Sequence, residues 1–212
     1  MWSFCGKTRH GLNEYFGDTN GELATESSSF RPRSPYAVAK AAAFWELASY
    51  REAYGLYASS GILFNHESPL RPERFVTRKI ISSAVRIASG RKEKLHLGNL
   101  AIHRDWGWAP EYVEAIWLML QQVEPDDFIV STGEAHSLEE FVAMTFDHFG
   151  LNWRDHVVID KSLFRPAEIS VMRGDPTKAR KKLGWEARTK IKQVIGLMLQ
   201  AEQESPYKSG RI

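Results

Sequence analysis

Tyr36 and Lys40 stand four residues apart in Ser34-Pro35-Tyr36-Ala37-Val38-Ala39-Lys40, a spacing that puts a phenol and an ammonium on one helix face. An ammonium held near a phenol favours the phenolate and is expected to lower the tyrosine pKa from its usual ~10. Such a pair is a general base able to take a proton from a sugar hydroxyl as a hydride leaves. The same spacing also describes an exposed helix pair on a solvated face. Upstream, in Leu12-Asn13-Glu14-Tyr15-Phe16-Gly17, Glu14 offers a carboxylate. Removal of the acidic proton beside a newly made ketone needs such a group, and a surface loop glutamate is the plain alternative.

Further polar residues follow an apolar run in Gly61-Ile62-Leu63-Phe64-Asn65-His66-Glu67-Ser68-Pro69-Leu70-Arg71, then Phe75-Val76-Thr77-Arg78-Lys79-Ile80. Polar groups directly after a buried strand lie where α/β folds bind ligands, at the carboxyl ends of strands. Asn65 can donate an amide N–H to a phosphate, and Arg71 and Lys79 can neutralise one. His66 is open to a second reading as a cap or core histidine. Arg104 precedes Asp105-Trp106-Gly107, and Arg165-Pro166-Ala167-Glu168 adds a cation with a carboxylate three positions on. One division gives arginine to a diphosphate and glutamate to ribose hydroxyls, and solvated ion pairs are the alternative.

These residues need a scaffold, and the punctuation of the chain predicts one. Ser34 caps and Pro35 opens a helix over 35–54 that Gly55 ends. Leu56–Phe64 reads as a buried parallel strand. A helix from about Arg74 to Gly90 precedes a short strand at Lys94–Leu97, and Pro110 opens another helix to about Gln122. Phe128–Ser131 reads as a strand, and Ser137 with Glu140 forms a capping box for a helix ending before Gly150. Asp175-Pro176 starts a short helix stopped by Gly184, and an amphipathic helix covers about Lys190–Gln203. Residues 1–33 read as loop. Strands alternating with longer helices predict an α/β fold with parallel pairing.

The bulk properties fit an ordinary globular protein. The chain has 212 residues, 43% hydrophobic and 25% charged, with a net charge of +2, too small to argue for a nucleic-acid or membrane partner. A single cysteine excludes an internal disulfide and fits a reducing compartment, so a cytoplasmic location is expected. No long apolar run of membrane-spanning length occurs. No Gly-x-Gly-x-x-Gly or Gly-x-x-Gly-x-x-Gly turn is present either, although a dinucleotide site normally uses one to bring backbone N–H groups to the pyrophosphate.

Taken in order, Pro32 to Tyr36 with Lys40, Phe64 to Pro69, Phe75 to Lys79, Leu97 to Leu100, Arg104 to Gly107, Tyr112 to Ala115, Trp117 to Gln121, Arg165-Pro166 with Glu168, Gly174-Asp175 and Leu183 to Trp185 form a pattern. From Glu14 to Trp185 the chain resembles the GDP-mannose 4,6-dehydratase family of the extended short-chain dehydrogenase/reductase superfamily. The resemblance implies the C-terminal part of an NAD(P)-binding Rossmann-like fold with a smaller α/β substrate-binding region, the N-terminal strand–helix units missing. Residues 1–72 would then be the remnant of the dinucleotide-binding part, and 73–212 mainly the nucleotide-sugar region with segments returning to the sheet.

The implied chemistry is NADP-mediated oxidation of GDP-mannose at C4, loss of water from C6 and return of the hydride, giving GDP-4-dehydro-6-deoxy-D-mannose with no metal ion. Tyr36, Lys40 and Glu14 match catalytic positions; Tyr36, Lys40, His66 and Arg71 match cofactor contacts. Asn65, Lys79, Arg104, Arg165 and Glu168 match positions that hold the nucleotide sugar, and the family implies a homo-oligomer, a dimer or tetramer. Two departures stand out. Leu12 occupies the family's hydroxyl position, a loss on the order of tenfold to a thousandfold in rate, and Asn13 replaces the usual serine. The missing glycine turn implies weak NADP binding and an apolar sheet edge. A catalytically impaired fragment that binds the GDP-sugar or pairs with an intact homologue is the alternative. An epimerase or reductase of the same superfamily would not need Glu14.

Overall fold

The computed structural model describes residues 12–19, 21–164 and 168–204. Helix α1 (Pro35–Tyr54) starts where the sequence predicts. The Ser34 hydroxyl accepts the Ala37 N–H at 3.0 Å, Pro35 occupies the first turn, and Gly55 ends the helix at φ 62°. The expected strand at 56–64 divides. Strand β1 (Gly61–Leu63) pairs in parallel with β6 (Phe128–Val130), whereas β2 (Asn65–Glu67) pairs in parallel with β5 (Trp106–Trp108). The chain changes partner at Phe64, and Leu56–Ser60 forms no strand. There the Arg51 guanidinium donates to the Ala58 carbonyl, and the Tyr57 hydroxyl donates to the Gln122 carbonyl, just beyond the helix Ala109–Met119.

Helix α2 (Val76–Ala88) leads to β3 (Leu95–Leu97), which pairs in parallel with β8 (Val157–Ile159). Strand β4 (His103–Arg104) lies between β7 (His136–Ser137), antiparallel, and β9 (Val171–Met172), parallel. Helices α3 (Ala109–Met119), α4 (Leu138–Asp147), α5 (Thr177–Leu183) and α6 (Ile191–Glu204) complete the order. The predicted capping box is present: the Ser137 hydroxyl accepts the Glu140 N–H, and the Glu140 carboxylate accepts the Ser137 N–H.

Three apolar clusters explain the layering. Along β1 and β6 the side chains alternate between faces. Ile62, Phe64 and Ile129 pack with Tyr15, Phe16, Ala37 and Ala41 on the α1 side. Leu63, Phe128 and Val130 pack with Tyr112, Met119, Leu183 and Trp185 on the α3 and α5 side. A parallel sheet covered on both faces results, which is why its strands are apolar throughout. The third cluster joins Ile80, Ile81 and Ala84 of α2 to Phe141 and Phe146 of α4 and Val194 and Met198 of α6, over Leu95, Leu97 and Trp106. Among the described residues no helix is long and apolar enough to cross a membrane.

Candidate active site

The segment expected to be loop before α1 holds a short 3-10 turn, Leu12–Phe16, that carries Glu14. Tyr15 and Phe16 anchor it, 1% and 3% exposed, in the cluster that also buries Ala37 one residue after Tyr36. Two backbone features fix the turn. The Arg31 N–H donates to the Tyr15 carbonyl at 2.7 Å. Gly17 follows at φ +67°, where a Cβ would sit 2.4 Å from the Arg31 carbonyl oxygen. Only glycine tolerates both the left-handed backbone and that approach.

Packed in this way, the turn sets the Glu14 carboxylate within electrostatic reach of the Tyr36 hydroxyl. Burial, and next the negative charge of Glu14, push the Tyr36 pKa up to about 12. The expected lowering by Lys40 is therefore overturned. The Lys40 Nζ lies 5.6 Å from the centre of the Tyr36 ring, and desolvation with a neighbouring anion outweighs its charge.

A second group gathers at the end of β2. The His66 Nδ1–H donates to the Phe64 carbonyl at 2.8 Å and the ring lies 4.9 Å from that of Tyr112. Burial lowers the His66 pKa, so the ring is held neutral. Arg71 donates to the His66 carbonyl at 2.9 Å and stacks 4.4 Å over the Phe75 ring. Asn65, half-buried, is level with Trp106 in the β2–β5 pairing, and His66 is level with Gly107. A Cβ at Gly107 would lie 2.3 Å from the Tyr112 ring, so this glycine lets the tyrosine reach the histidine.

A third group forms on β4 and the segment before β9. Arg104 donates to the carbonyls of His103 and Ile169 at 2.8 and 2.9 Å, which fixes its guanidinium beside the residue after half-buried Glu168. Lys79 stands apart from these at the edge of β3, donating to the His96 carbonyl at 2.6 Å. Arg165 lies outside the described residues, and so does the side chain at Leu12. The first and third groups are laced together by the parallel bridge of Ala24 with Gly174. There the Ala24 N–H donates to the Arg173 carbonyl and the Asp175 N–H donates to the Ala24 carbonyl. Gly174 permits it, since a Cβ there would meet the Phe64 ring at 2.6 Å.

Two buried carboxylates had drawn no role from the sequence. Glu67, fully buried, accepts from the Thr77 hydroxyl at 2.7 Å and faces Arg71 at 3.3 Å. Asp105, also fully buried, accepts the N–H groups of Thr132 and Gly133 at 2.9 Å and so holds the loop after β6. The available signal was a carboxylate three residues after the apolar run that ends at Phe64, and another directly before the aromatic strand Trp106–Trp108. Among the described residues no three His, Cys, Asp or Glu side chains are grouped to hold a metal ion.

The family profile described as GDP-mannose 4,6 dehydratase matches residues 11–198. GDP-mannose 4,6 dehydratase 1 of Arabidopsis thaliana is 51% identical over 194 residues, covering 92% of this chain and 54% of that protein. The Homo sapiens GDP-mannose 4,6 dehydratase is 44% identical over 209 residues, covering 91% and 56%. The chain thus spans about half the length of the curated relatives it matches.

Among solved structures, RMD from Pseudomonas aeruginosa, complexed with NADPH, superposes with a TM-score of 0.82 at 22% identity, over 91% of this chain and 64% of that one. The dTDP-glucose 4,6-dehydratase of Bacillus anthracis, in complex with NAD, gives 0.82 at 18% identity, over 93% and 61%. The architecture is the Rossmann-like α/β fold of extended short-chain dehydrogenases/reductases. By its matched length and its identity to these relatives, the chain belongs to the GDP-mannose 4,6 dehydratase family.

Proposed function

We propose that the chain carries the proton-transfer and nucleotide-sugar-binding part of a GDP-mannose 4,6-dehydratase, which forms GDP-4-dehydro-6-deoxy-D-mannose and water. The observation that supports this most is the packing of the turn that carries Glu14, through Tyr15 and Phe16, against Ala37 beside Tyr36; dehydration requires these two groups, Glu14 and Tyr36, at neighbouring carbons of one hexose. Tyr36 is the group that exchanges the C4 hydroxyl proton. To take that proton it must first be deprotonated; burial and Glu14 push its pKa up to about 12, so the phenolate is scarce at neutral pH, and Lys40, 5.6 Å from the ring centre, is the cation that would favour it in the complex. Glu14 takes the C5 proton once C4 is a ketone and gives it to the departing C6 hydroxyl, which leaves as water.

NADP, when bound, supplies the hydride acceptor for C4 and the donor for C6. The residues present suit a phosphorylated dinucleotide. The Arg71 Nε is buried without a hydrogen-bond partner on a guanidinium otherwise held by the His66 carbonyl, the Glu67 carboxylate and the Phe75 ring. His66 and Arg71 are assigned to the cofactor; Asn65, Lys79, Arg104, Arg165 and Glu168 are assigned to GDP-mannose. Residues 1–72 are assigned as the remnant of the dinucleotide-binding part that carries the Tyr36–Lys40 pair, and 73–212 mainly as the sugar-nucleotide region, with segments such as β6 returning to the sheet. A homo-oligomer is part of the proposal, supported by apolar residues of α1 open to solvent, Val38, Trp45 and Tyr54 at 53, 62 and 71% exposure. The single cysteine supports a reducing cytoplasm.

The test is incubation of the purified chain with GDP-mannose and NADP, followed by detection of a 4-keto-6-deoxy nucleotide sugar. Calorimetry with GDP-mannose runs beside it. Binding with product supports the whole assignment. Binding without product supports the sugar-nucleotide region and refutes turnover by this chain. Neither binding nor product refutes the proposal.

A further inference from the structure

Glu67 lies at the centre of contacts that no catalytic assignment uses. It ends β2, directly after Asn65 and His66, and is 0% exposed. One carboxylate oxygen accepts from the Thr77 hydroxyl at 2.7 Å, at the start of α2 and two residues before Lys79. The other faces the Arg71 guanidinium at 3.3 Å. Arg71 is in turn fixed by the His66 carbonyl and the Phe75 ring. A fully buried carboxylate is costly unless paired. Burial pushes this one up to about 7, against the opposing pull of Arg71 and Thr77. A core apolar residue would fill the space without that cost. Its contacts reach three pieces of chain at once: the end of β2, the loop bearing Arg71 and the first turn of α2.

We infer that Glu67 is a positioning residue of the ligand site, whose carboxylate fixes the Arg71 guanidinium against the first turn of α2 and so sets the spacing of Arg71 and Lys79 for the phosphate groups of bound nucleotides. The inference rests on the reading of those two cations as nucleotide-binding. Losing the carboxylate frees Arg71 to sample other rotamers without deleting its charge. The expected loss is in the order of the guanidinium and in affinity, more than in stability.

The experiment uses the full chain with isotope-labelled arginine, followed by NMR, as wild type, Glu67→Gln and Thr77→Val. In the wild type the Arg71 Nη1 protons, which face Glu67, should give sharp, slowly exchanging signals. In Glu67→Gln that exchange should speed up by roughly tenfold, and Thr77→Val should fall between the two. NADP titrated into the same samples should bind roughly tenfold more weakly to Glu67→Gln. An Arg71 signal as sharp in Glu67→Gln as in wild type overturns the inference, whether or not nucleotide binds. Should Glu67→Gln not fold, an unchanged signal in Thr77→Val overturns it equally. Loss of Arg71 order in Glu67→Gln, together with a wild-type chain that binds no NADP, supports the positioning role and refutes only the nucleotide reading.

Discussion

Gly17→Ala tests how the Glu14 turn is held. Two penalties apply at this position. The backbone sits at φ +67°, where an L side chain costs about 1–2 kcal/mol. The new Cβ would lie 2.4 Å from the Arg31 carbonyl oxygen, a backbone atom that cannot rotate away. Accommodating a methyl group in such a contact costs about 1–3 kcal/mol. Gly55 is an internal control: its φ of +62° carries the first penalty, but a Cβ there meets nothing within 4 Å. Gly17→Ala should therefore lose about 2–5 kcal/mol and Gly55→Ala about 1–2. At roughly 2–4 °C per kcal/mol for a chain of this size, the Tm should fall by about 4–20 °C in the first and about 2–8 °C in the second. Thermal and urea unfolding followed by circular dichroism read both. Equal losses in the two variants would refute the claim that the Arg31 carbonyl clamps the turn.

The Tyr112 hydroxyl is buried without a hydrogen-bond partner, so Tyr112→Phe should be neutral or stabilising by about 1 kcal/mol in urea unfolding, and a clear loss would contradict this. Ser137→Ala removes the capping box of α4 and should cost about 1 kcal/mol in the same assay. The pH dependence of stability follows from Glu67 and Asp105, both raised by burial to about 7. Groups whose folded pKa lies above the unfolded value bind protons on folding between the two. Their contribution to stability therefore falls as pH rises from about 4 to about 7. Glu67→Gln should flatten that fall in a pH series of unfolding curves, and an unchanged slope would contradict it.

Helix α1 was legible because its signals are local: a serine cap, a proline in the first turn and a glycine after the last. The capping box of α4 and the glycine stop of α5 were legible for the same reason. What escaped depends on distant chain. Strands β4, β7 and β9 are two residues each, set by pairing between segments far apart in sequence and too short to show a period. The break at Phe64 exists because β1 and β2 answer to different partners. Within the site, Glu14, Tyr36 and Lys40 could be named from spacing and resemblance. The direction of the Tyr36 shift could not, because it is set by burial and by a carboxylate brought in through the Gly17 turn. Glu67 reads as one more polar residue after a strand until the fold closes Thr77 and Arg71 around it.

The central claim is that the Glu14 carboxylate and the Tyr36 hydroxyl share one site. NMR titration of isotope-labelled tyrosine, with Tyr36→Phe to assign the signal, measures it directly in the wild type and in Glu14→Gln. Tyr36 should titrate near 12 in the wild type and lower in Glu14→Gln, because a raising charge has gone. The same midpoint in both proteins would show that the carboxylate is not felt at the phenol, and the proposed pairing would be wrong.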